Sequence, residues 1–271
     1  MLGFEWIPNT NSYTYFADSG KKLMTATTAD SKATELITLA DLNKALSSDL
    51  KSFNGIDWKN ADSFVIANGQ KYYTYNTKTK TGSQIVELTE SQQDGAFDNA
   101  KENLAFTDKN NLFFYNKNKE KIQVTNETNE DIVSGQFFAR SEFGIVGGIF
   151  WSPKSNLLAF YQKDQSEVAN YPILDISATE GKLESIKYPM IGKKSEKPRV
   201  GIYNVSTKKT VFISPKGNTD DYLTNLSWSP DEKYVLIAEL NRAQNDMHLN
   251  VYDAQTGAFV RTIVDEKNSN W

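Results

Sequence analysis

The stretch Leu226-Ser-Trp-Ser-Pro-Asp-Glu-Lys-Tyr-Val-Leu-Ile-Ala238 joins a turn signal to an apolar run. Proline presets the backbone angle of a tight turn, and serine and aspartate beside it hydrogen-bond locally to the turning chain. The run that follows is rich in aromatic and branched side chains, which favours a strand. The stretch therefore predicts two antiparallel strands joined by a Ser-Pro-Asp turn.

The same pattern recurs along the chain. A second strong copy is Ile149-Phe-Trp-Ser-Pro-Lys-Ser-Asn-Leu-Leu-Ala-Phe-Tyr161, and weaker copies begin at Phe4, Ile56 and Ala96. Each copy supplies short apolar runs separated by turn residues, and units of about 40–45 residues with four strands are typical of propeller blades. We therefore predict an all-β fold, a β-propeller of four-stranded blades with about five blades present.

The repeat also sets unit boundaries within a single propeller domain over residues 1–271. The units are predicted near residues 4–40, 53–90, 94–126, 147–214 and 222–265. Trp151 and Trp228 lie 77 residues apart, too far for one blade, so we predict an insertion over residues 164–198. Thr38–Leu46 has helical spacing and predicts a short surface helix. Four tryptophans are predicted at similar inner positions: Trp6, Trp58, Trp151 and Trp228.

Composition excludes several functions. The chain has 30 Lys and Arg against 34 Asp and Glu, a net charge of −4, which disfavours nucleic acid as a partner. It has no cysteine, so thiolate chemistry and cysteine-built metal sites are absent. No apolar run approaches the length of a membrane span. Residues 1–8 lack the pattern of a signal peptide, and the ends, including the terminal Trp271, predict a cut from a longer chain.

A series of motifs in the second half resembles a known family. The motifs are Glu142-Phe-Gly-Ile, Phe150-Trp-Ser-Pro-Lys, Leu158–Val168, Tyr188-Pro-Met, Val200-Gly-Ile-Tyr, Leu226-Ser-Trp-Ser-Pro-Asp and Asn241-Arg-Ala-Gln-Asn245. Together they resemble the N-terminal β-propeller of the dipeptidyl peptidase IV family of the prolyl oligopeptidase clan, especially its Bacteroidetes-type members. The resemblance implies a propeller of about eight blades capping an α/β-hydrolase domain, with only part of the propeller in this chain.

The resemblance also implies a function. Family members are exported serine exopeptidases that release N-terminal dipeptides of the X-Pro or X-Ala type, and the propeller gates access to the active site. Acidic side chains on an excursion from one blade bind the substrate α-amino group, and the resemblance assigns that role to Glu142. Relatives carry two adjacent acids where this chain has Ser141 and Glu142. The alternatives for Glu142 are a solvated loop carboxylate and an ion pair with Arg140.

Two arginines complete the candidate substrate-binding set. Arg140 lies two residues before Glu142, and Arg242 lies in a loop between outer strands that could face the cavity. The alternative for Arg242 is a structural turn. Glu167 opens the insertion and is interpreted as a structural residue or part of a dimer contact. The only histidine, His248, lies in an alternating run and is interpreted as a blade residue without a catalytic or metal-binding role.

The chain by itself is not expected to be an enzyme. None of its 15 glycines frames the Gly-x-Ser-x-Gly elbow of a serine hydrolase. No cofactor or metal is expected. The expected partners are a peptide with a free N-terminus, the C-terminal hydrolase domain and, by resemblance, a second copy in a homodimer; the expected compartment is the periplasm or another exported location.

Two other functions remain possible from the sequence. A free-standing propeller could bind a protein or peptide without ever being joined to an enzyme. A propeller enzyme could act on carbohydrate through paired carboxylates, but an acidic series of that kind, which includes Asp57 and Asp98, is interrupted in the strongest repeats.

Overall fold

The computed structural model describes residues 2–30, 32–177 and 179–269, with the side chain of Leu2 left out. The chain divides into two compact units, one ending at Ser91 and the other beginning at Gln92. Both are built from antiparallel sheets, as the repeat predicted. The terminal Trp271, on which the prediction of a cut chain partly depends, lies outside the described residues.

The first unit contains two four-stranded sheets. The first sheet has the order β1 (Leu2–Trp6), β2 (Ser12–Ala17), β3 (Lys22–Thr27) and β4 (Thr34–Thr38). Helix α1 (Leu39–Leu46) follows, and the second sheet has the order β5 (Asp57–Asn60), β6 (Ser63–Asn68), β7 (Lys71–Asn76) and β8 (Thr81–Glu87). Each sheet is a meander in which consecutive strands pair, which needs only short turns.

Helix α1 confirms the helix predicted from spacing. The side chain of Thr38 accepts a hydrogen bond from the backbone N–H of Asp41, 3.1 Å away, and so caps the first turn. Ser47 ends the helix with a left-handed φ of 51°. Leu42 and Leu46 are buried among the aromatic residues of the first unit, so tertiary packing stabilises this short helix.

The second unit contains three larger sheets and a separate hairpin. Its first sheet has the order β12-β11-β10-β9, with strands β9 (Gln92–Phe97), β10 (Leu104–Asp108), β11 (Asn111–Tyr115) and β12 (Lys121–Gln123). The next seven strands are β13 (Ile132–Ser134), β14 (Ile149–Trp151), β15 (Leu157–Asp164), β16 (Asn170–Asp175), β17 (Lys182–Lys187), β18 (Lys197–Asn204) and β19 (Lys209–Phe212). The last sheet runs β20 (Tyr222–Trp228), β21 (Tyr234–Leu240), β22 (Asp246–Asp253) and β23 (Phe259–Lys267).

The middle sheet of the second unit carries the insertion. Its path is β13-β15-β18-β19, and β14 also pairs with β15, because β13 and β14 lie one after the other along that long strand. Strands β16 and β17 form their own two-stranded hairpin between β15 and β18. Several apolar side chains of this hairpin are exposed, among them Leu174 and Leu183 at 62% and 71%.

The Ser-Pro turns have one shared geometry. The hydroxyl of Ser229 accepts the N–H of Tyr234 at 3.0 Å, and the hydroxyl of Ser152 accepts the N–H of Leu157 at 2.9 Å. The fourth turn residue is left-handed in both, with φ of 65° at Glu232 and 64° at Ser155. The carboxylate of Glu232 then joins the two turns by accepting hydrogen bonds from the earlier one.

Tryptophans on the first strands link neighbouring sheets. The indole N–H of Trp228 donates to the carbonyl of Phe150 at 3.1 Å, that of Trp151 donates to the carbonyl of Ala96 at 3.0 Å, and that of Trp58 donates to the hydroxyl of Thr14. Trp58 is buried, and Trp151 and Trp228 are partly buried. Each bond connects a sheet to the one before it in the same unit.

Trp6 departs from this pattern. It lies on the first strand as predicted, but it is 52% exposed, so the expectation of a similar inner position was wrong for this residue. Its indole N–H has no acceptor among the described residues, so it makes no link to another sheet, and its ring packs edge-on against Phe4 and Tyr13 of its own sheet.

Candidate functional site

The two central candidates lie on a short segment with strained backbone. Residues Ala139–Gly144, here called the Glu142 segment, connect β13 to β14. Arg140, Ser141 and Phe143 have left-handed φ values of 51°, 67° and 54°, whereas Glu142 is extended, with φ −71° and ψ 162°. Such backbone costs free energy for residues other than glycine and persists only where packing fixes it.

Packing at both ends holds the Glu142 segment. Before it, buried Phe138 contacts Tyr161 edge-on, with ring centroids 5.0 Å apart. Within it, the ring of Phe143 lies 4.5 Å from that of Tyr222 on β20. The hydroxyl of Thr224, also on β20, donates a hydrogen bond to the carbonyl oxygen of Phe143. The last sheet therefore positions the segment.

Glu142 carries an uncompensated charge. Its side chain is exposed, and within residues 2–30, 32–177 and 179–269 no hydrogen bond or ion pair reaches its carboxylate. Because the flanking residues are anchored, the carboxylate is presented on a defined backbone. A carboxylate in this state can accept charged hydrogen bonds from an ammonium group.

Arg140 does not pair with Glu142. Its guanidinium carbon lies 4.5 Å from the centroid of the Tyr188 ring, which follows the inserted hairpin. The alternative that these two neighbours form an ion pair is therefore wrong. The physical reason is the left-handed backbone at Arg140 and Ser141, which turns the chain between the two side chains.

Arg242 belongs to the same neighbourhood as the Glu142 segment. The side-chain oxygen of Asn241 accepts the backbone N–H groups of Asn245 and Asp246, which closes the turn between β21 and β22. The guanidinium carbon of Arg242 lies 4.4 Å from the centroid of the Tyr222 ring. Tyr222 therefore contacts both Arg242 and the Phe143 next to Glu142.

The remaining sequence candidates have local partners. Glu167 forms an ion pair with Lys197, which joins the start of the insertion to the start of β18. His248 lies between two carboxylates, with its Nε2 3.1 Å from Asp246 and its Nδ1 2.5 Å from Asp265. Within the described ranges, no group of three or more His, Asp or Glu side chains is arranged to hold a metal ion.

Sequence reasoning missed the residues that organise this site. Tyr222 and Thr224 lie in an ordinary strand pattern, and no local signal marks them as contacts of a segment about 80 residues earlier. Lys163 carries no sequence signal either, because it lies near the end of a buried strand; in the structure it is partly buried and lines a cavity together with Arg140. Tyr188 appeared only as part of the Tyr-Pro-Met motif.

The arrangement of the strands identifies the class of fold. The all-β chain of four-stranded antiparallel sheets joined in meanders is a β-propeller of about five blades. Residues 64–271 match the family described as the dipeptidyl peptidase IV (DPP IV) N-terminal region. This match covers most of the chain, and the chain belongs to that family.

Solved structures agree with this assignment. A Bacteroides ovatus protein provisionally assigned as dipeptidyl aminopeptidase IV is 33% identical, and the likeness has a TM-score of 0.82 and covers 100% of this chain and 39% of the other. Dipeptidyl peptidase 4 of Porphyromonas gingivalis is 20% identical, with a TM-score of 0.81 over 99% of this chain and 40% of the other, which shows a common fold.

Curated relatives have lower sequence identity to this chain than the Bacteroides ovatus protein has. Dipeptidyl aminopeptidase B of Saccharomyces cerevisiae is 23% identical over 214 residues, which cover 74% of this chain and 25% of the yeast protein. A Pyrenophora teres f. teres protein provisionally named dipeptidyl-aminopeptidase B is 25% identical, with the same coverage of both chains. The chain thus spans about a quarter of the length of these relatives.

In the part of the chain that the structure describes, no helix has the length and apolarity needed to cross a bilayer.

Proposed function

We propose that this chain is the non-catalytic propeller part of an exported serine exopeptidase that releases N-terminal dipeptides of the X-Pro or X-Ala type. In this proposal the propeller gates substrate access, and Glu142 binds the substrate α-ammonium group. The names of the relatives support the reaction class, since they are dipeptidyl peptidases and aminopeptidases. The serine nucleophile and its histidine belong to a C-terminal α/β-hydrolase domain of the longer protein.

The observation that carries the proposal is the free carboxylate of Glu142 on a backbone fixed by its neighbours. A free N-terminus bears a positive charge, whereas an internal peptide bond does not. An anchored carboxylate therefore binds the N-terminal end of a peptide in preference to an internal peptide bond. Binding that end would place the bond two residues further on at the position of cleavage.

Arg242 has the second role in the proposed site. One face of its guanidinium lies on Tyr222, and the N–H groups at its edge have no acceptor among the described residues. A guanidinium held this way can donate hydrogen bonds to peptide carbonyl oxygens. Arg140, with its face on Tyr188, is assigned to the opposite end of the segment as a further substrate contact.

Self-association is part of the proposal. The hairpin of β16 and β17 exposes apolar side chains, including Ile173, Leu174 and Leu183, and exposed apolar surface of this kind favours protein contacts. We assign this hairpin to a homodimer contact. Analytical ultracentrifugation of the chain with Leu174→Ser and Leu183→Ser should show less dimer than the unchanged chain.

Binding of short peptides tests the amine site. Ala-Pro-Ala-Ala-amide with a free N-terminus should bind about tenfold more tightly than the N-acetylated peptide, because one charged hydrogen bond in a partly exposed site is lost. Glu142→Gln should remove this difference, and Glu130→Gln, which changes another exposed carboxylate of the same unit, should keep it. An unchanged ratio in Glu142→Gln would refute the assignment.

A further inference from the structure

A cavity of about 370 Å³ lies directly beside the Glu142 segment. Its lining includes two residues of the segment, Arg140 and Ser141, together with Lys163 at the end of β15 and Lys187 at the end of β17. Glu196 is its only carboxylate-bearing lining residue among those described. The cavity therefore has three cationic side chains against one carboxylate.

Of the three cations, Lys187 has a carboxylate partner, whereas Arg140 and Lys163 have none among the described residues. Lys187 pairs with Asp131 at 3.3 Å and also donates to a backbone carbonyl. Arg140, in contrast, has its guanidinium over the face of the Tyr188 ring, and among the described residues no acceptor takes its N–H donors. Glu196 forms no ion pair with either Arg140 or Lys163 in the described part of the chain.

Lys163 is held in place with most of its donors unused. Its Nζ donates to the carbonyl oxygen of Phe137 at 3.1 Å, which occupies one of three N–H groups. Burial lowers the pKa of Lys163 and the nearby positive charge of Arg140 adds to this, while the carboxylates of Glu196 and Asp94 oppose it. An anion placed between Lys163 and Arg140 would relieve their repulsion and satisfy their free donors.

The location of the cavity next to Glu142 indicates which kind of ligand could use both sites. Ser141 lines it, and Glu142 is the next residue, so the cavity adjoins the same short segment that presents the Glu142 carboxylate. A ligand that satisfies both carries an ammonium group and an anion close together. An N-terminal aspartate or glutamate has both groups on one residue.

We propose that this cavity is a subsite for the side-chain carboxylate of an acidic N-terminal residue, with Arg140 and Lys163 as its ligands. The inference rests on the proposed function, because it places the ammonium group of the same residue at Glu142. It extends that function by naming a preferred substrate class: peptides whose first residue is Asp or Glu.

Four peptides separate the two sites. They share the sequence X-Pro-Ala-Ala-amide, with X as Glu or Gln and with the N-terminus free or acetylated. The amide removes the terminal carboxylate, so the side chain of Glu is the only anion. By calorimetry on the full chain, Glu should bind about five- to tenfold more tightly than Gln in both the free and the acetylated pair.

Variants then assign each effect to its residue. Lys163→Met and Arg140→Met should each reduce the Glu-to-Gln ratio towards one and leave the effect of acetylation intact. Glu142→Gln should do the reverse. Lys193→Met, an exposed lysine in the segment between the hairpin and β18, is the matched control and should change neither.

Several results would overturn the subsite. A Glu-to-Gln ratio near one in the unchanged chain would do so, even if acetylation still weakened binding and the amine site were correct. A ratio that survives both Lys163→Met and Arg140→Met would do so as well. If Gln-Pro-Ala-Ala with a free C-terminal carboxylate gained as much affinity as the Glu peptide, the cavity would bind a C-terminus instead of the first side chain.

Discussion

The guanidinium carbon of Arg242 lies 4.4 Å from the centroid of the Tyr222 ring, and the same ring lies 4.5 Å from that of Phe143. A turn between β21 and β22 and a segment about a hundred residues earlier therefore share one buried tyrosine as their support. This arrangement couples the position of Arg242 to the backbone that presents Glu142.

Removing the Arg242 cation tests its proposed role. In Arg242→Met, binding of Ala-Pro-Ala-Ala-amide should weaken about threefold to tenfold, because hydrogen bonds to the peptide are lost. Stability should change by only about 0.5–1 kcal/mol, the size of an exposed cation–π contact. Arg261→Met, at an exposed position on β23, is the control. Equal binding by the two variants would make Arg242 a structural turn residue only.

The indole hydrogen bonds between sheets should contribute measurably to stability. Trp151→Phe and Trp228→Phe should each lower the free energy of unfolding by about 2 kcal/mol, from a lost hydrogen bond and lost buried area. Trp6→Phe should change it by less than about 0.5 kcal/mol, since Trp6 is exposed. Urea unfolding followed by far-ultraviolet circular dichroism gives the comparison. A cost for Trp6→Phe equal to that of Trp228→Phe would contradict it.

Glu232 should make stability depend on pH. Burial alone would raise the pKa of this carboxyl, but hydrogen bonds from Ser152, Asn156 and the backbone of Lys154 outweigh burial and lower it from its ordinary value of 4.5. A carboxyl with a lowered folded-state pKa stabilises the fold above its unfolded-state pKa and ceases to do so as the pH falls through the folded-state value.

The matching variant is Glu232→Gln. At pH 7 it should be about 1–2 kcal/mol less stable than the unchanged chain, because a buried charged acceptor is lost. The difference should shrink as the pH falls below 4.5. Urea unfolding at a series of pH values measures this, and a difference that stays constant down to pH 3 would exclude the proposed linkage.

Glu239 holds the loop before β20 from within the last sheet. Its carboxylate, 4% exposed, accepts the backbone N–H groups of Lys216 and Gly217 at 3.0 Å each, the amide of Asn250 at 2.9 Å and the hydroxyl of Tyr252. Glu239→Gln puts an NH₂ group against these donors and should cost about 2–3 kcal/mol. Exposed Glu266→Gln should cost much less, and equal losses would mean that the network contributes nothing specific.

The chain alone should not hydrolyse dipeptidyl reporters of the X-Pro or X-Ala type. No Gly-x-Ser-x-Gly element occurs in the sequence, and His248 lies between Asp246 and Asp265 on a strand. Release of the reporter group is the measurement. Turnover that persists in His248→Ala and resists serine-directed inhibitors would show that the chain has chemistry of its own.

The sequence by itself determined the local architecture. Trp-Ser-Pro turns, branched runs and their repetition specify four-stranded antiparallel meanders, because turn geometry and strand preference depend on residues a few positions apart. Helix α1 followed from the helical spacing of Thr38–Leu46, and the structure added the cap at Thr38. The role of Glu142 is different, because it is implied by the resemblance of its motif and the neighbouring motifs to the family and stays a prediction.

The tertiary structure alone decided how the site is assembled. The sequence left open whether Arg140 pairs with Glu142, and the left-handed backbone between them directs Arg140 to Tyr188 instead. The support of Phe143 and Arg242 by Tyr222, and the cavity shared by Arg140 and Lys163, join elements far apart in sequence. Such contacts follow from packing between sheets, which no local pattern encodes, because the same alternating strand can present its side chains to many different neighbours.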